Sequence, residues 1–296
     1  MVIGVDIGGT KIYAGLVDAL GRVRKRVKLP SAAKRGRAAT LGNLTRAIEA
    51  VWVPGVRGIG VGFAGHVDHE RGIVFQSPNF SRSFMRVPVR TFLARTFNVR
   101  VVVDNDAHCF ALAEATVGAG KKYRSVVGIT LGTGIGGGIV LDKTLYRGRN
   151  NSSGEVGHMT ITSEGGCSCG QIGHFESLVS GGALTRLYRK ETGRSLESAA
   201  IEELAQRPGT ARELLQRMGR MFGVGLANIA TVLNPDVIVV GGGFARVRAL
   251  WGPAKTEFRR RVPFGALRGT PIVPAALGED AAIVGAALLL DPIHKT

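Results

Sequence analysis

Short apolar runs bounded by glycine turns open this chain, and the same succession returns near residue 130. The first copy, Val2-Ile3-Gly4-Val5-Asp6-Ile7-Gly8-Gly9-Thr10-Lys11, runs into Ile12-Tyr13-Ala14-Gly15-Leu16-Val17. The second, Val127-Gly128-Ile129-Thr130-Leu131-Gly132-Thr133-Gly134, runs into Gly138-Ile139-Val140-Leu141. Runs of this length and composition predict paired strands. After Asp18-Ala19-Leu20-Gly21, the segment from Val23 to Leu29 completes an antiparallel three-stranded meander. Leu41, Leu44, Ile48 and Val51 fall at helical spacing behind Thr40, a capping residue type, and Pro54-Gly55 ends that helix. Gly58 to Gly62 and Val101 to Val103 predict buried strands, separated by an irregular stretch with Gly65-His66-Val67-Asp68 and Ser77-Pro78-Asn79-Phe80. Ala107 to Val117 has the alanine-rich composition of a helix.

The second half repeats the scheme with insertions. A loop-rich region from Tyr146 to Glu176 precedes several helices, of which Thr210 to Leu233 is the strongest. Asp236 to Val240 predicts a buried strand ending in Gly241-Gly242-Gly243, and Ile283 to Leu290 a last helix capped near Glu279-Asp280. Meanders followed by alternating helices and strands, twice over, predict an α/β protein of two lobes with an interlobe cleft, the usual place for a ligand. Residues 1–106, completed by a C-terminal helix over 281–296, form the smaller lobe in this reading, and 107–280 the larger.

Composition narrows the class. The 296 residues are 45% hydrophobic, enough for real cores. The longest apolar stretch, Ala281 to Leu290, falls far short of the roughly 20 residues that span a bilayer. Asp6 interrupts the N-terminus before an apolar signal region can form, so a cytoplasmic protein is expected. Three cysteines are too few for a disulfide framework. The formal charge of +17 raises nucleic acid as a partner. However, the runs Arg24-Lys25-Arg26, Lys34-Arg35-Gly36-Arg37 and Arg259-Arg260-Arg261 carry no interleaved aromatics, and they read as solvated surface with some attraction for anionic substrates.

Three constellations carry chemistry. In Asp6-Ile7-Gly8-Gly9-Thr10-Lys11 a carboxylate, a hydroxyl and an ammonium surround a tight turn, the set that holds Mg²⁺ and phosphate oxygens. The second turn, Gly132-Thr133-Gly134, would face it as another phosphate clamp. Gly132 to Gly137 formally fits a dinucleotide fingerprint, but a strand follows where that motif requires a helix. Asp106, at the mouth of a buried strand and the start of a helix, is the candidate general base, and equally a residue type suited to capping that helix. The densest signal is Gly154-Glu155-Val156-Gly157-His158 with Cys167-Ser168-Cys169 and His174-Phe175-Glu176. His158, Cys167, Cys169 and His174 suit a closed, structural Zn²⁺ site that would also fix Glu155 and Glu176.

Taken in order, Asp6-x-Gly-Gly-Thr-Lys11, Asn79, Asp104-Asn105-Asp106-Ala107, Leu131-Gly-Thr-Gly, Gly154-Glu-x-Gly-His158, Cys167-x-Cys-Gly-x-x-Gly-x-x-Glu176 and Gly241-Gly-Gly243 resemble the ROK family of sugar kinases over essentially the whole length. The resemblance implies a two-lobed actin-like (ribonuclease H-like) ATPase fold and an ATP-dependent hexose kinase, most simply a glucokinase, commonly a homodimer or homotetramer. It implies Asp106 as base toward the sugar 6-hydroxyl, with Gly65, Asn79, Asn105, Glu155, His158 and Glu176 around the sugar. Gly8, Gly9, Thr10, Lys11, Gly132, Thr133 and Gly134 would hold the phosphates of ATP, with Mg²⁺ near Asp6, and Gly241, Gly242 and Gly243 would border the adenosine. The family usually has a cysteine where this chain has His174.

Other readings stay open at this point. N-acetylglucosamine, N-acetylmannosamine and fructose kinases share nearly all these motifs, and the segment from Asp104 to Ala111 resembles that of N-acetylglucosamine and fructose kinases. Polyphosphate could replace ATP, although its users resemble a branch without the zinc cysteines. The family also includes sugar-responsive repressors with a winged-helix domain; a first strand starting at Val2 leaves such a domain no room, so no specific nucleic acid partner is expected.

Overall fold

Both meanders form where the apolar runs lie. The computed structural model describes residues 1–77 and 79–290; Pro78 of the Ser77–Phe80 stretch and residues 291–296 of the expected last helix lie outside the described residues. β1 (Val2–Ile7), β2 (Lys11–Val17) and β3 (Val23–Pro30) pair antiparallel in that order. After α1 (Arg37–Val51), β4 (Gly58–Phe63) joins β1 in parallel. The irregular stretch contains a small hairpin, β5 (His66–Asp68) with β6 (Ile73–Gln76), and is followed by α2 (Val89–Phe97), which the apolar pattern did not announce. β7 (Arg100–Asn105) pairs in parallel with β4 and closes a sheet of order β3-β2-β1-β4-β7.

All six residues of β4 are buried, as a central parallel strand covered on both faces requires. At the edge, β3 exposes Arg24, Lys25, Arg26 and Lys28. Charges there discourage another strand from adding to the sheet. Asp18 answers Arg22 and Arg24, and Asp280 answers Arg26.

α1 buries Leu41, Leu44, Ile48 and Val51 on one face, as their spacing predicts. It begins at Arg37 rather than after Thr40, with Gly36 at the cap. Thr40 is buried and turns its hydroxyl back to Gly36 O at 3.2 Å, the mid-helix alternative to capping.

α3 (Asp106–Thr116) leaves β7 directly. β8 (Ser125–Leu131), β9 (Ile135–Leu141) and β10 (Thr144–Tyr146) follow, then α4 (Gly181–Thr192), α5 (Ser198–Leu204), α6 (Thr210–Leu233), β11 (Val237–Gly241), α7 (Arg248–Arg261), β12 (Ile272–Pro274) and α8 (Ala281–Leu288). The second sheet has the order β10-β9-β8-β11-β12. A strand follows Gly132 to Gly134, as expected, so no dinucleotide motif forms there.

By contact the chain gathers into two compact units. One comprises Met1–Gly128, Gly138–Gly154 and the described part of Ala275–Thr296; the other comprises Ile129–Gly137 and Glu155–Pro274. α3, assigned from sequence to the larger lobe, lies in the first unit, where α8 packs against it and against β1 and β4. The last helix starts at Ala281, and Asp280 makes no side-chain cap. The chain entering α8 is held by Glu114 of α3, a fully buried carboxylate that accepts the N–H groups of Ala119, Ala276 and Leu277. In the second unit α6 packs along α7, and Phe222 stacks on Phe175 and meets Trp251 edge-on.

Backbone lies against backbone where α8 meets its neighbours. A Cβ on Gly60 of β4 would fall 1.8 Å from Ala286 O, and one on Gly285 of α8 would fall 1.7 Å from Cys109 O of α3. No side chain can yield there, since both obstacles are main-chain atoms. Gly60→Ala is therefore expected to lower the free energy of unfolding by about 3 kcal/mol, the upper end of overpacking costs. Urea unfolding measures it, and a loss under about 0.5 kcal/mol would mean that α8 does not sit this close to the sheet.

Candidate active site

Parallel pairing sets the site in the first unit. Ile7 is level with Phe63, and Phe63 with Asn105, so β1, β4 and β7 end together. Carboxyl ends of parallel strands are where ligands bind in open α/β sheets. The chain leaving β1 makes the Gly8-Gly9-Thr10 turn, closed by the Gly8 N–H donating to Lys11 O at 2.9 Å. Asn79 packs on it: a Cβ on Gly9 would meet the Asn79 Cβ at 2.7 Å. Gly65 follows β4, and its carbonyl accepts from Asn105 Nδ2 at 3.1 Å.

Capping of α3 falls to Asn105, whose Oδ1 accepts the N–H groups of Ala107 and His108 at 2.8 and 3.1 Å. Asp106 takes the first helical position, its Oδ1 accepting the Ala107 N–H at 3.0 Å. Burial and the negative charge of Asp106 push the Asp6 carboxyl up to about 8. Two carboxyl groups thus crowd the ends of β1 and β7. The structure thereby brings Asp6, Gly8 to Lys11, Gly65, Asn79, Asn105 and Asp106 to one end of one sheet.

One member of the triplet has a part the sequence reading missed. Asp104 is wholly buried and accepts from Asn105 N–H, His108 Nδ1 and Asn151 Nδ2 at Oδ1 and from Arg147 Nε at Oδ2, while His69, whose Nδ1 is hydrogen-bonded to Val103 O, lies 3.2 Å from Oδ2. Burial opposes its charge. The hydrogen bond and charge of His108, with the charges of Arg147 and His69, outweigh burial and hold the carboxyl well below the ordinary carboxylate range. The four-residue step from Asp104 to His108 is a sequence signal that could have found the first pair. The others come from distant segments and leave no local pattern.

In the second unit, the Gly132-Thr133-Gly134 turn docks on the start of α4. Gly132 O accepts the Gly181 N–H at 2.8 Å, and Thr133 O accepts the Gly182 N–H at 3.1 Å. Gly242, with φ of +93°, lies against the end of β8, where a Cβ would meet Leu131 O at 2.4 Å. The three-glycine segment is therefore a neighbour of the turn. Glu176 reaches the same turn, Oε2 accepting the Ile135 N–H at 3.3 Å. Its other oxygen, Oε1, accepts from Cys167 Sγ at 3.3 Å and Ser168 Oγ at 3.1 Å.

His158, Cys167, Cys169 and His174 come together as their spacing predicts, their ligand atoms all within 4.8 Å of one another. His158 Nδ1 lies 3.1 Å from His174 Nδ1 and 3.9 Å from Cys167 Sγ, and Cys169 Sγ lies 3.2 Å from His174 Nδ1. A tetrahedral zinc with bonds of about 2.0–2.1 Å to nitrogen and 2.3 Å to sulfur has edges of about 3.3–3.8 Å. The donor set fits such an ion. Burial, with the Glu176 carboxylate beside it, pushes the Cys167 thiol up to about 11. His158 turns its other nitrogen, Nε2, toward Glu155 Oε2 at 4.0 Å. Among the described residues, no helix is long and apolar enough to cross a membrane.

The chain is similar to known proteins along almost its whole length. A model of the ROK family matches residues 2–292. A glucokinase of Streptomyces coelicolor is 34% identical over 99% of each chain. An N-acetyl-D-glucosamine kinase of Salmonella heidelberg is 33% identical over 98% of this chain and 99% of its own. Among solved structures, a ROK family glucokinase from Streptomyces griseus in complex with glucose and AMPPNP superposes with a TM-score of 0.85, at 33% identity over 97% of this chain and 98% of the other. The fold class expected from the sequence, the α/β actin-like ATPase fold, is that of this chain, which belongs to the ROK family.

Proposed function

We infer that this chain is an ATP-dependent hexose kinase that transfers the γ-phosphoryl group to the 6-hydroxyl of glucose. The observation that carries the reading is Asp106 at the first position of α3, beside Asp6 and the first glycine turn at the ends of β1, β4 and β7. The glucokinase relatives and the AMPPNP and glucose held by the Streptomyces griseus protein support donor and acceptor.

In this reading Asp106 accepts the proton of the attacking hydroxyl, the Ala107 N–H keeping its carboxylate aimed. Gly65, Asn79, Asn105, Glu155, His158 and Glu176 take the remaining hydroxyls, which fixes one alcohol for attack. The turns Gly8 to Lys11 and Gly132 to Gly134 hold the phosphates, and Gly241 to Gly243 border the adenosine. Asp6 would hold Mg²⁺, which supplies charge stabilisation of the transferring phosphoryl group when bound. Phosphoryl transfer asks the protein for positioning and charge far more than for covalent chemistry, and these groups supply both. His158, Cys167, Cys169 and His174 would hold a structural zinc, His158 by Nδ1 with Nε2 left toward Glu155.

The N-acetyl-D-glucosamine kinase relative supports a second acceptor, the N-acetylated hexose. A panel of sugars with ATP and Mg²⁺ separates the two: turnover of glucose is expected, and turnover of N-acetylglucosamine alone would replace it. Asp106→Ala is expected to cut kcat by about 10³-fold or more while calorimetry still detects sugar binding; retained turnover would remove Asp106 as the base. Metal analysis of the purified chain is expected to find zinc, with Cys169→Ser abolishing its retention on dialysis against chelator. A metal-free wild type of full stability would overturn the zinc assignment.

Asp6 has a signature in pH. A carboxyl whose value in the folded protein lies near 8 binds its proton more tightly there than in the unfolded chain, at about 3.9. Its contribution favours the folded state at low pH and is lost as pH rises from about 4 through 8. In Mg²⁺-free buffer, Asp6→Asn is therefore expected to match the wild-type melting temperature near pH 4 and to exceed it by a few degrees at pH 8. Parallel melting curves at every pH would show that Asp6 bears no such burden.

A further inference from the structure

The segment after β10 is fixed at three points by residues around one carboxylate. Arg147 Nε donates to Asp104 Oδ2 at 2.9 Å. Asn151 Nδ2 donates to Asp104 Oδ1 and to Val67 O, both at 3.0 Å, from a buried residue with φ of +61°. The third point is Ser153, whose carbonyl lies 2.8 Å from His108 Nε2. His108 Nδ1 lies 3.0 Å from Asp104 Oδ1. Both partners of this buried ring are acceptors, so it satisfies them together only with a proton on each nitrogen, as an imidazolium. His108 is thus a charged bolt between β7 and Ser153, with Asp104 as its counter-ion and Arg147 and His69 completing the shell.

What this bolt joins gives it a role. Asp104 directly precedes Asn105 and Asp106, and its Oδ1 receives the Asn105 N–H at 2.8 Å. The clamped segment runs through Ser153 and Gly154 into Glu155. One buried carboxylate therefore fixes the backbone on which Asn105 and Asp106 stand and the backbone that delivers Glu155. We propose that Asp104 and His108 are positioning residues for sugar binding, clamping residues 147–153 to the start of α3. The kinetic side of this proposal rests on the hexose kinase reading, while the clamp itself does not.

The test uses the full chain and two readouts. Arg147 is partly exposed, so Arg147→Ala removes a donor to Asp104 without emptying the interior. His108→Gln keeps one hydrogen bond and gives up the second. Amide exchange across 147–154, with no ligand present, is expected to quicken at least about tenfold in both variants relative to distant segments. KM for the sugar is expected to rise about tenfold, with KM for ATP within about twofold of wild type. Arg147→Lys, which restores the charge, is expected to recover most of both effects. Unchanged exchange in a folded Arg147→Ala variant overturns the clamp. Quickened exchange with an unchanged sugar KM overturns the positioning role. A wild type that phosphorylates no hexose overturns the kinase reading instead, and the exchange measurement then decides the clamp alone. Should His108→Gln not fold, Arg147→Ala and Arg147→Lys carry the same comparison.

Discussion

The first unit depends on how closely a helix can lie on a sheet. α8 rests main chain to main chain on β4 at Gly60 and on α3 at Gly285, and no side chain lies between to absorb an error. That contact sets the height of α3 above the parallel strands. Since α3 begins with Asp106, it also sets where that carboxylate stands relative to Asp6 and the first glycine turn. Dispersion and burial over these faces supply the stability. The glycines supply the distance.

Polar groups complete what packing begins. Glu114 and Asp104, near opposite ends of α3, are both fully buried, and both are satisfied by donors from segments far away in sequence. Each turns a desolvation penalty into a fixed geometry, because a buried carboxylate without its donors costs several kcal/mol. Glu114 fastens the approach to α8, and Asp104 fastens the segment ahead of Glu155. A single helix is thus registered at its start and its finish by charge, and along its length by contact with α8.

Much of this was legible in the chain itself. Alternation and glycine turns gave both meanders, and the spacing of Leu41, Leu44, Ile48 and Val51 gave the buried face of α1. Donor type and spacing alone marked His158, Cys167, Cys169 and His174 as one cluster, and their ligand atoms do gather. The family resemblance added roles that no spacing could supply. What stayed hidden has physical reasons. Thr40 is a cap by composition, yet Gly36 reaches the required conformation one turn earlier. α2 carries too few buried residues, Val89 and Leu93, to leave a clear period. The capping of α3 passed to Asn105 because two adjacent residues were equally suited by type. Of the groups around Asp104, His108 lies one helical turn away in sequence, whereas His69, Arg147 and Asn151 meet it only in three dimensions.

Glu176 divides its two oxygens between neighbours of different kinds, one the amide at the foot of the second glycine turn, the other the thiol and hydroxyl of the cysteine-bearing loop. Damage to that loop by an oxidant would therefore not stay local. A thiol oxidised at position 167 would leave Ser168 as the remaining donor to one arm of the side chain whose other arm braces the turn, so the chemical state of the loop bears on how firmly the neighbouring hairpin is held.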